Sequence, residues 1–224
     1  MCGRFALSAK TKDIEKLVPG VKIISGLNPR YNIAPSQNIA ALLNDDSNEL
    51  KFIRWGLVPF WAKDTAIGFS LINARAETLN EKPAFKHAYK KNRCLIFSDC
   101  FYEWKKTDSK KKIPMAIKLK SGEPFAFAGL WESWKNPQDD SLLLSATIVT
   151  TTPNDLIGSI HNRMPVILQN NDYSTWLDSS FVNDALLMNC LKQFPSNEMM
   201  AYEISDRINN PRFDDESCLY PVNH

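Results

Sequence analysis

The sequence predicts an α+β fold in which a largely antiparallel, curved sheet core is flanked by short helices. Two observations favour this class: short β-type runs recur with turns between them, and the helical segments are few and short. The 224 residues contain no internal repeat, low-complexity segment or linker, so one domain over residues 1–224 is expected.

The first part of the chain mixes one short helix with strands and loops. Residues 8–19 predict the helix, because a serine can cap its start and Pro-Gly ends it. Residues 28–37 contain two prolines and several polar side chains, which predicts an ordered loop. Strands are expected at 39–43 and 50–55, followed by an aromatic loop over 56–64.

The middle part combines a basic helix with the most polar loop. Residues 67–74 are apolar, and a helix is expected over 83–93 because a proline occupies its first turn. Its predicted basic face contains Lys82, Lys86, Lys90, Lys91 and Arg93. A strand is expected over 94–101, running into Tyr102-Glu103-Trp104, and a basic loop over 105–112.

The last part predicts more strands before a helical and then irregular end. Patterning predicts strands at 115–119, 125–131 and 142–151. Short helices are expected at 153–160, 173–177 and 183–191, with a mostly irregular tail over 203–224.

The charge is distributed unevenly along the chain. Residues 1–120 contain 22 Lys and Arg against 11 Asp and Glu, whereas residues 121–224 contain 5 against 14. A basic first half favours an anionic partner, and nucleic acid is the commonest one. Alternatively, the two halves neutralise each other within the fold.

Cysteine and histidine usage restricts the chemistry that we expect. The five cysteines form no C-x-x-C pair, which favours a reducing compartment over a disulfide framework or a zinc site. With three histidines, no metal and no other cofactor is expected. No apolar run approaches membrane-spanning length and no secretory signal is evident, so we expect a cytoplasmic protein without a membrane partner.

The Met-Cys start is the first candidate for chemistry. If Met1 is removed, Cys2 carries an α-amine and a thiol on neighbouring carbons. The amine can condense with an aldehyde to an imine, and the thiol can then close a five-membered thiazolidine. The thiol can also act alone on an acyl carbon. The alternative is a small apolar residue on a first strand.

Four further polar residues stand beside apolar sequence. Glu103 lies between two aromatics, where burial would raise the pKa of its carboxyl and suit a general acid; otherwise it points to solvent. His161 precedes Asn162-Arg163 and could transfer protons near neutral pH, or it is a structural histidine. Asn73 and Arg75 share one face if the backbone is extended, and otherwise serve a turn and the surface.

The aromatic side chains and arginines together resemble a surface that binds single-stranded nucleic acid. The aromatic members are Phe60, Trp61 and Trp104, and the cations are Arg4 and Arg54. Core packing is the alternative for the tryptophans.

Eight motifs in order resemble one family, the SRAP (SOS-response-associated peptidase) domain, which shields abasic sites in single-stranded DNA. They cover nearly the whole chain: Met1-Cys2-Gly3-Arg4-Phe5, Tyr31-Asn32-Ile33-Ala34-Pro35 with Gln37, Arg54-Trp55-Gly56-Leu57-Val58-Pro59 with Trp61, Asn73-Ala74-Arg75-Ala76-Glu77-Thr78, Phe101-Tyr102-Glu103-Trp104, Phe127-Ala128-Gly129-Leu130-Trp131, Thr150-Thr151 and His161-Asn162-Arg163-Met164-Pro165. In this family a second tryptophan can follow the position of Trp61; here Ala62 stands there, which removes one stacking surface.

The resemblance implies four catalytic roles. Cys2 would link covalently to the ring-opened abasic sugar, and Asn73 would hold both the Cys2 N-terminus and the sugar. Glu103 would assist ring opening and proton transfer. His161 would act as the acid and base for imine formation and for reversal of the crosslink.

The resemblance also implies a DNA-binding surface and a setting in DNA repair during the SOS response. The DNA-binding residues would be Arg4, Trp61, Arg75, Trp104 and Arg163. The implied partner is single-stranded DNA that contains an abasic site, including sites at junctions with duplex DNA. A monomer associated with the nucleoid when bound to DNA is expected.

Two other classes of function remain open from the residues. In a thiol peptidase or autoprocessing hydrolase, Cys2, His161 and Glu103 would be nucleophile, base and orienting group. In a binding module without catalysis, the aromatics and arginines would act alone. Abasic-site lyase activity through the imine is a further expectation of the first class.

Overall fold

The computed structural model describes residues 2–24, 26–108, 111–180 and 183–222, so that Met1 and His224 lie outside the described residues. Short helices surround mostly antiparallel strands, which confirms the predicted α+β class. The strands are β1 (Phe5–Leu7), β2 (Arg30–Ile33), β3 (Asn38–Leu43), β4 (Leu50–Trp55), β5 (Asn73–Arg75), β6 (Arg93–Ser98), β7 (Cys100–Lys106), β8 (Lys112–Leu119), β9 (Phe125–Lys135), β10 (Leu142–Thr151), β11 (Met164–Pro165) and β12 (Met199–Glu203). The α-helices are α1 (Thr11–Leu17), α2 (Pro83–Lys91), α3 (Asp155–Gly158), α4 (Tyr173–Leu177) and α5 (Asp184–Cys190).

Five of these strands close into a ring, because β9 pairs with both β6 and β10. The order around the ring is β10, β4, β3, β6 and β9, and the contact of β10 with β4 is parallel. Beyond the ring, β10 continues and pairs with β5 on one side and β11 on the other. The far end of β10 therefore brings the segments that follow Ile72 and His161 together.

The second sheet has the order β12-β8-β7-β1-β2, so that β1 lies between β7 and β2. Phe5 of β1 packs edge-on against Trp55 of the ring, with ring centroids 5.1 Å apart, and against Phe127 at 5.7 Å. Each of these rings is fully buried. Burying an aromatic side chain of this kind contributes about 2–3 kcal/mol. The contact fixes the start of the chain against the ring.

Several predicted elements are confirmed. The strands expected at 39–43 and 50–55 correspond to β3 and β4, and the strand expected at 142–151 coincides with β10. The helix expected at 173–177 coincides with α4, whereas the helix expected at 8–19 is shorter at both ends. The tail after β12 consists of loops and short 3-10 turns, as expected.

The strand predicted over 94–101 is wrong in one respect, because it is two strands in two sheets. Asp99 separates β6 from β7, and its carboxylate accepts hydrogen bonds from the backbone amides of Ser8 at 2.6 Å and Ala9 at 2.7 Å. A partly buried carboxylate that holds another segment breaks the strand although its neighbours are apolar. The predicted loops are also too long, since β2 lies within 28–37 and the ends of β7 and β8 lie within 105–112.

The basic face predicted for 83–93 includes one residue wrongly. Helix α2 ends at Lys91, and Arg93 opens β6 with no exposed surface. Its guanidinium donates to the backbone carbonyls of Tyr89, Lys90, Trp176 and Asp178. Arg93 thus joins α2 to α4, whereas the lysines of the predicted face are exposed. Among the described residues, no helix is both long and apolar enough to cross a membrane.

Candidate active site

Cys2 lies just before β1 and is fully buried. Its thiol donates a weak hydrogen bond to the carbonyl oxygen of Arg4, with sulfur and oxygen 3.8 Å apart. Burial raises the pKa of this thiol far above its ordinary value, and the negative charge of Glu103 raises it further. The sulfur is therefore protonated at neutral pH, and it lies within electrostatic reach of the Glu103 carboxylate.

Asn73 holds the backbone at Cys2. Its Nδ2 donates a hydrogen bond of 2.8 Å to the carbonyl oxygen of Cys2. The extended backbone expected here is confirmed, because β5 pairs with β10 and places Asn73 opposite Ile148. The Oδ1 atom of Asn73 is buried and accepts no hydrogen bond from the described residues. Leaving a buried acceptor without a donor costs about 1–3 kcal/mol, so a donor that reaches Oδ1 would bind favourably.

Glu103 is in the middle of β7 and is only 3% exposed, so the solvent-pointing alternative is wrong. Phe5 is opposite Phe101 in the antiparallel pair of β1 and β7. The same register, continued, places Gly3 opposite Glu103. Burial raises the pKa of the Glu103 carboxyl, and the charge of His161 opposes part of that shift. The direction of this shift is the one expected from the sequence, and a raised pKa is a property of carboxyls that act as general acids.

His161 follows α3, and its ring contacts the backbone of its own loop. Its Nδ1 is 3.1 Å from the amide nitrogen of Arg163 and 3.1 Å from the carbonyl oxygen of the same residue. The ring plane is thereby fixed by the backbone. The charge of His161 acts on the pKa of the Glu103 carboxyl, so the two side chains are close enough to interact electrostatically.

The three arginines expected to contact DNA differ in their surroundings. Arg163 forms a two-pronged ion pair with Glu77, at 2.7 and 2.9 Å, and also donates to the carbonyl oxygen of Thr150 at 2.7 Å. The Arg163 guanidinium lowers the pKa of the Glu77 carboxyl. Arg75, by contrast, is exposed and has no hydrogen bond to another side chain among the described residues. Of the three, Arg75 offers the most accessible charge.

Arg4 binds the irregular tail that follows β12. One of its nitrogens donates to Asn32 Oδ1 and to the carbonyl oxygen of Ile208, both at 2.7 Å, and the other donates to the carbonyl oxygen of Asn209 at 3.3 Å. The indole of Trp104 donates to the Asn209 side chain at 2.8 Å. Arg4 and Trp104 therefore lie beside each other next to the tail, and their contact with DNA stays a prediction.

Trp61 lies apart from this cluster on the aromatic loop after β4. Gly56 opens the loop with a φ of +115°, and a Cβ there would approach the carbonyl oxygen of Gly68 to 2.6 Å. Only glycine fits this turn without strain. Trp61 is 49% exposed, which leaves its ring available for stacking.

Asn32 had no predicted role, although its side chain binds the irregular tail at residues 208–213. It is fully buried, and its Nδ2 donates to the carbonyl oxygens of Ile208, Asn210 and Phe213 at 2.7–3.2 Å. Asn32 and Arg4 together hold the irregular tail against β1 and β2. Its place in a Tyr-Asn-Ile-Ala-Pro motif was the available signal, but only the structure shows that a distant tail needs the amide.

Cys2 does not line the surface depression beside α1. One depression of about 300 Å³ is lined by residues that include Ser8, Asp13, Asp99 and Glu123, around α1. Within the described ranges, no group of three or more His, Cys, Asp or Glu side chains could hold a metal ion.

Comparison with known proteins identifies relatives over nearly the whole chain. A family model described as "SOS response associated peptidase (SRAP)" matches residues 1–211. The chain is 46% identical to the abasic site processing protein YoqW of Bacillus subtilis, over 95% of this chain and 96% of that protein. It is also 46% identical to the abasic site processing protein YoaM of the same species, over the full length of both.

A more distant relative and a crystal structure are also similar to this chain over most of its length. The abasic site processing protein HMCES of Pongo abelii is 30% identical over 87% of this chain and 65% of that protein. An X-ray structure of a Bacteroides thetaiotaomicron protein superposes with a TM-score of 0.90 at 28% identity, covering 99% of this chain and 100% of that one.

Proposed function

Since the chain belongs to the SOS response associated peptidase (SRAP) family, we propose that it binds abasic sites in single-stranded DNA and joins them covalently to Cys2 as a thiazolidine. The observation that carries this proposal is the meeting of Cys2, Asn73 and Glu103, which are far apart in sequence. Asn73 bonds to the Cys2 carbonyl at 2.8 Å, and the charge of Glu103 acts on the Cys2 thiol.

The reaction begins with the amine that removal of Met1 exposes on Cys2. An abasic sugar in its open form presents an aldehyde at C1′. The amine adds to this carbon, and loss of one water gives an imine. The unpaired Oδ1 of Asn73 is close to Cys2 and suits an N–H donor, so it supports the amine during attack. Ring opening of the sugar needs a proton donor, and the raised pKa of Glu103 suits it for that step.

The second step uses the sulfur. The Cys2 thiol adds to the imine carbon, so that one C–S bond forms while the thiol proton moves to the imine nitrogen. No oxidant and no cofactor is needed. Because burial keeps this thiol protonated, a base must take its proton as sulfur attacks. Glu103 is the neighbouring base, and His161 exchanges protons with the site during ring closure and reversal.

The thiol decides between shielding and cleavage of the strand. An imine at C1′ makes the neighbouring hydrogen acidic and favours β-elimination, which cuts the strand. Ring closure by sulfur removes the imine and keeps the strand intact. Abasic-site lyase activity is therefore the reaction of the site when the thiol step fails.

A thiol peptidase is the second candidate, and the family name supports it. Cysteine hydrolases attack as thiolates, which requires a lowered pKa. Burial instead raises the pKa of the Cys2 thiol, and the neighbouring Glu103 carboxylate adds to that effect. This environment favours an aminothiol that reacts after imine formation over a general peptidase. Self-removal of a residue before Cys2 remains compatible with the site.

DNA binding would use the exposed Arg75 and Trp61, with Trp104, Arg4 and Arg163 lining the lesion. We propose single-stranded DNA, alone or beside a duplex, as the partner of a monomeric protein that works at the nucleoid. Phosphate contacts make such binding dependent on salt concentration.

The test is a denaturing gel of purified protein mixed with single-stranded DNA that contains one abasic site. Mass spectrometry first confirms that Met1 is absent. We expect a heat-stable shifted band from the unmodified protein, and from Cys2→Ala, which keeps the amine, strand cleavage without a stable band. Cys2→Ser is the matched control, because it retains size and polarity. An equally heat-stable band from Cys2→Ala, or any band from a protein with an uncleaved N-terminal tag, would refute the thiazolidine.

A further inference from the structure

We propose that the exposed face of α2 and the aromatic loop beside it bind the backbone of single-stranded DNA that flanks the lesion. The surface consists of Phe60, Trp61, Lys86, His87 and Lys90, and is called the flanking surface below. The inference rests on the proposed function, since it places the rest of the strand whose abasic site reaches Cys2.

The helix supplies a stripe of positive charge. Phe85, Ala88 and Tyr89 are buried, whereas Lys86 and Lys90 are exposed on the opposite face. These two lysines are one turn apart, a rise of about 6 Å. Helix α2 contains no acidic residue, and none of the ion pairs within the described ranges includes a lysine of α2. The charge of this face is therefore available to an anionic partner.

Strand β9 places the aromatic loop next to this helix. Glu132 and Trp134 are two residues apart and share one face of the strand. Glu132 Oε1 is 2.8 Å from His87 Nδ1, which ties α2 to that face. Trp134 Nε1 donates to the carbonyl oxygen of Ala62 at 2.8 Å, which ties the loop to the same face. The two elements therefore lie side by side.

A direct ring contact makes the surface continuous. Phe60 packs edge-on against His87, with ring centroids 5.1 Å apart and an interplanar angle of 64°. Phe60 is 54% exposed and Trp61 49%, so both rings still face solvent. The surface thus runs from the exposed rings of the aromatic loop, through His87, onto the lysines of α2.

The chemistry of the surface fits single-stranded DNA better than a protein partner. Exposed aromatic rings stack on bases of any sequence, and lysines follow the phosphate backbone. Protein interfaces, by contrast, are depleted in lysine. The flanking surface combines both features that a single strand uses.

The test removes Lys86 and Lys90 together, as Lys86→Ala with Lys90→Ala. On long undamaged single-stranded DNA we expect about tenfold weaker binding at low salt, and a salt slope reduced by about 1.4, or 0.7 for each lost phosphate contact. Crosslinking of a long strand at limiting protein concentration should slow to a similar degree. Crosslinking of a short oligonucleotide, limited to the lesion and its nearest neighbours, should not change.

The matched control is Lys12→Ala with Lys22→Ala, which removes the same charge from exposed positions on α1 and the segment after it. An unchanged salt slope in the α2 variant, or an equal loss in the control, would overturn the proposal. Failure of the proposed function is distinguishable: unmodified protein would then crosslink neither oligonucleotide, whereas the salt slope on undamaged DNA would still decide the role of α2.

Discussion

Two buried glutamates, Glu103 and Glu132, have nearly the same local properties and different surroundings. Both lie on strands, both are 3% exposed, and burial raises the pKa of both carboxyls. Each also has a histidine that acts on it: His161 through its charge, and His87 through a bond of 2.8 Å. Each pair combines a carboxyl group with an imidazole, but only the Glu103 pair lies beside the Cys2 thiol.

The comparison shows that a raised carboxyl pKa does not by itself identify a catalytic site. Glu132 lies behind His87 and joins α2 to β9, with no cysteine among the groups that affect the pKa of its carboxyl. Glu103 raises the pKa of the Cys2 thiol. Carboxyls with perturbed pKa values also occur in structural networks, and of the two glutamates only Glu103 acts on the pKa of the Cys2 thiol.

The largest expected difference between the two glutamates is in the rate of crosslinking. Glu103→Gln keeps the size of the side chain but removes the acid and base, so we expect a decrease of about 10²–10⁴-fold. Glu132→Gln should leave the rate within about twofold, because it does not contact the reacting atoms. The initial rate of band formation on one abasic oligonucleotide measures the crosslinking rate of each variant. Equal losses in the two variants would remove the distinction and point to a shared effect on folding.

The histidines provide a second and smaller contrast. His161→Gln should slow formation and reversal of the crosslink by about 10²-fold, because a proton-transfer group is lost. It should also remove one limb of the pH–rate profile, because one of the two proton-transfer groups is gone. His87→Gln should keep the profile of the unmodified protein.

Reversal is measured by transfer of the protein from a crosslinked strand to a competing strand in excess. A His161→Gln protein with the full pH profile would assign His161 to a structural role. A change of profile in His87→Gln would instead show that the pair at α2 reaches the active site.

The regular elements could be predicted from sequence because their patterns are local. β10 and α4 have the predicted bounds, since an apolar, β-branched run in β10 and the three-residue spacing of the buried Tyr173 and Trp176 in α4 are both signals within one segment. The break at Asp99 could not be found in this way, because its cause is the backbone of Ser8 and Ala9, which are 91 and 90 positions away. Arg93 was misplaced for the same reason: the carbonyl groups that it satisfies belong partly to α4.

The residues of the candidate site could be named from the motifs, but their geometry could not. The motifs named Cys2, Asn73, Glu103 and His161, and the structure brings these side chains into one region. No motif indicates that Asn32 holds the tail at 208–213, or that Glu77 pairs with Arg163. Both contacts depend on how distant segments pack, and motif order does not encode that.

The smallest expected effect is on stability, and it differs in size between the two glutamates. Burial raises the pKa of the Glu103 carboxyl in the folded protein, so the folded state keeps a proton that the unfolded chain has already released. The stability that this carboxyl contributes is greatest below the ordinary glutamate pKa of about 4.3. It falls as the pH rises toward the raised value. At pH 8, Glu103→Gln should therefore increase the free energy of unfolding by on the order of 1 kcal/mol.

The gain should disappear near pH 4, where the carboxyl is protonated in both states. Glu132→Gln should gain less at pH 8, because the amide cannot replace the charged partner that Glu132 offers His87. Thermal unfolding of both variants at the two pH values measures the difference. A Glu103→Gln protein less stable than the unmodified protein at pH 8 would show that the Glu103 carboxylate stabilises the fold, and the contrast between a catalytic and a structural glutamate would then fail.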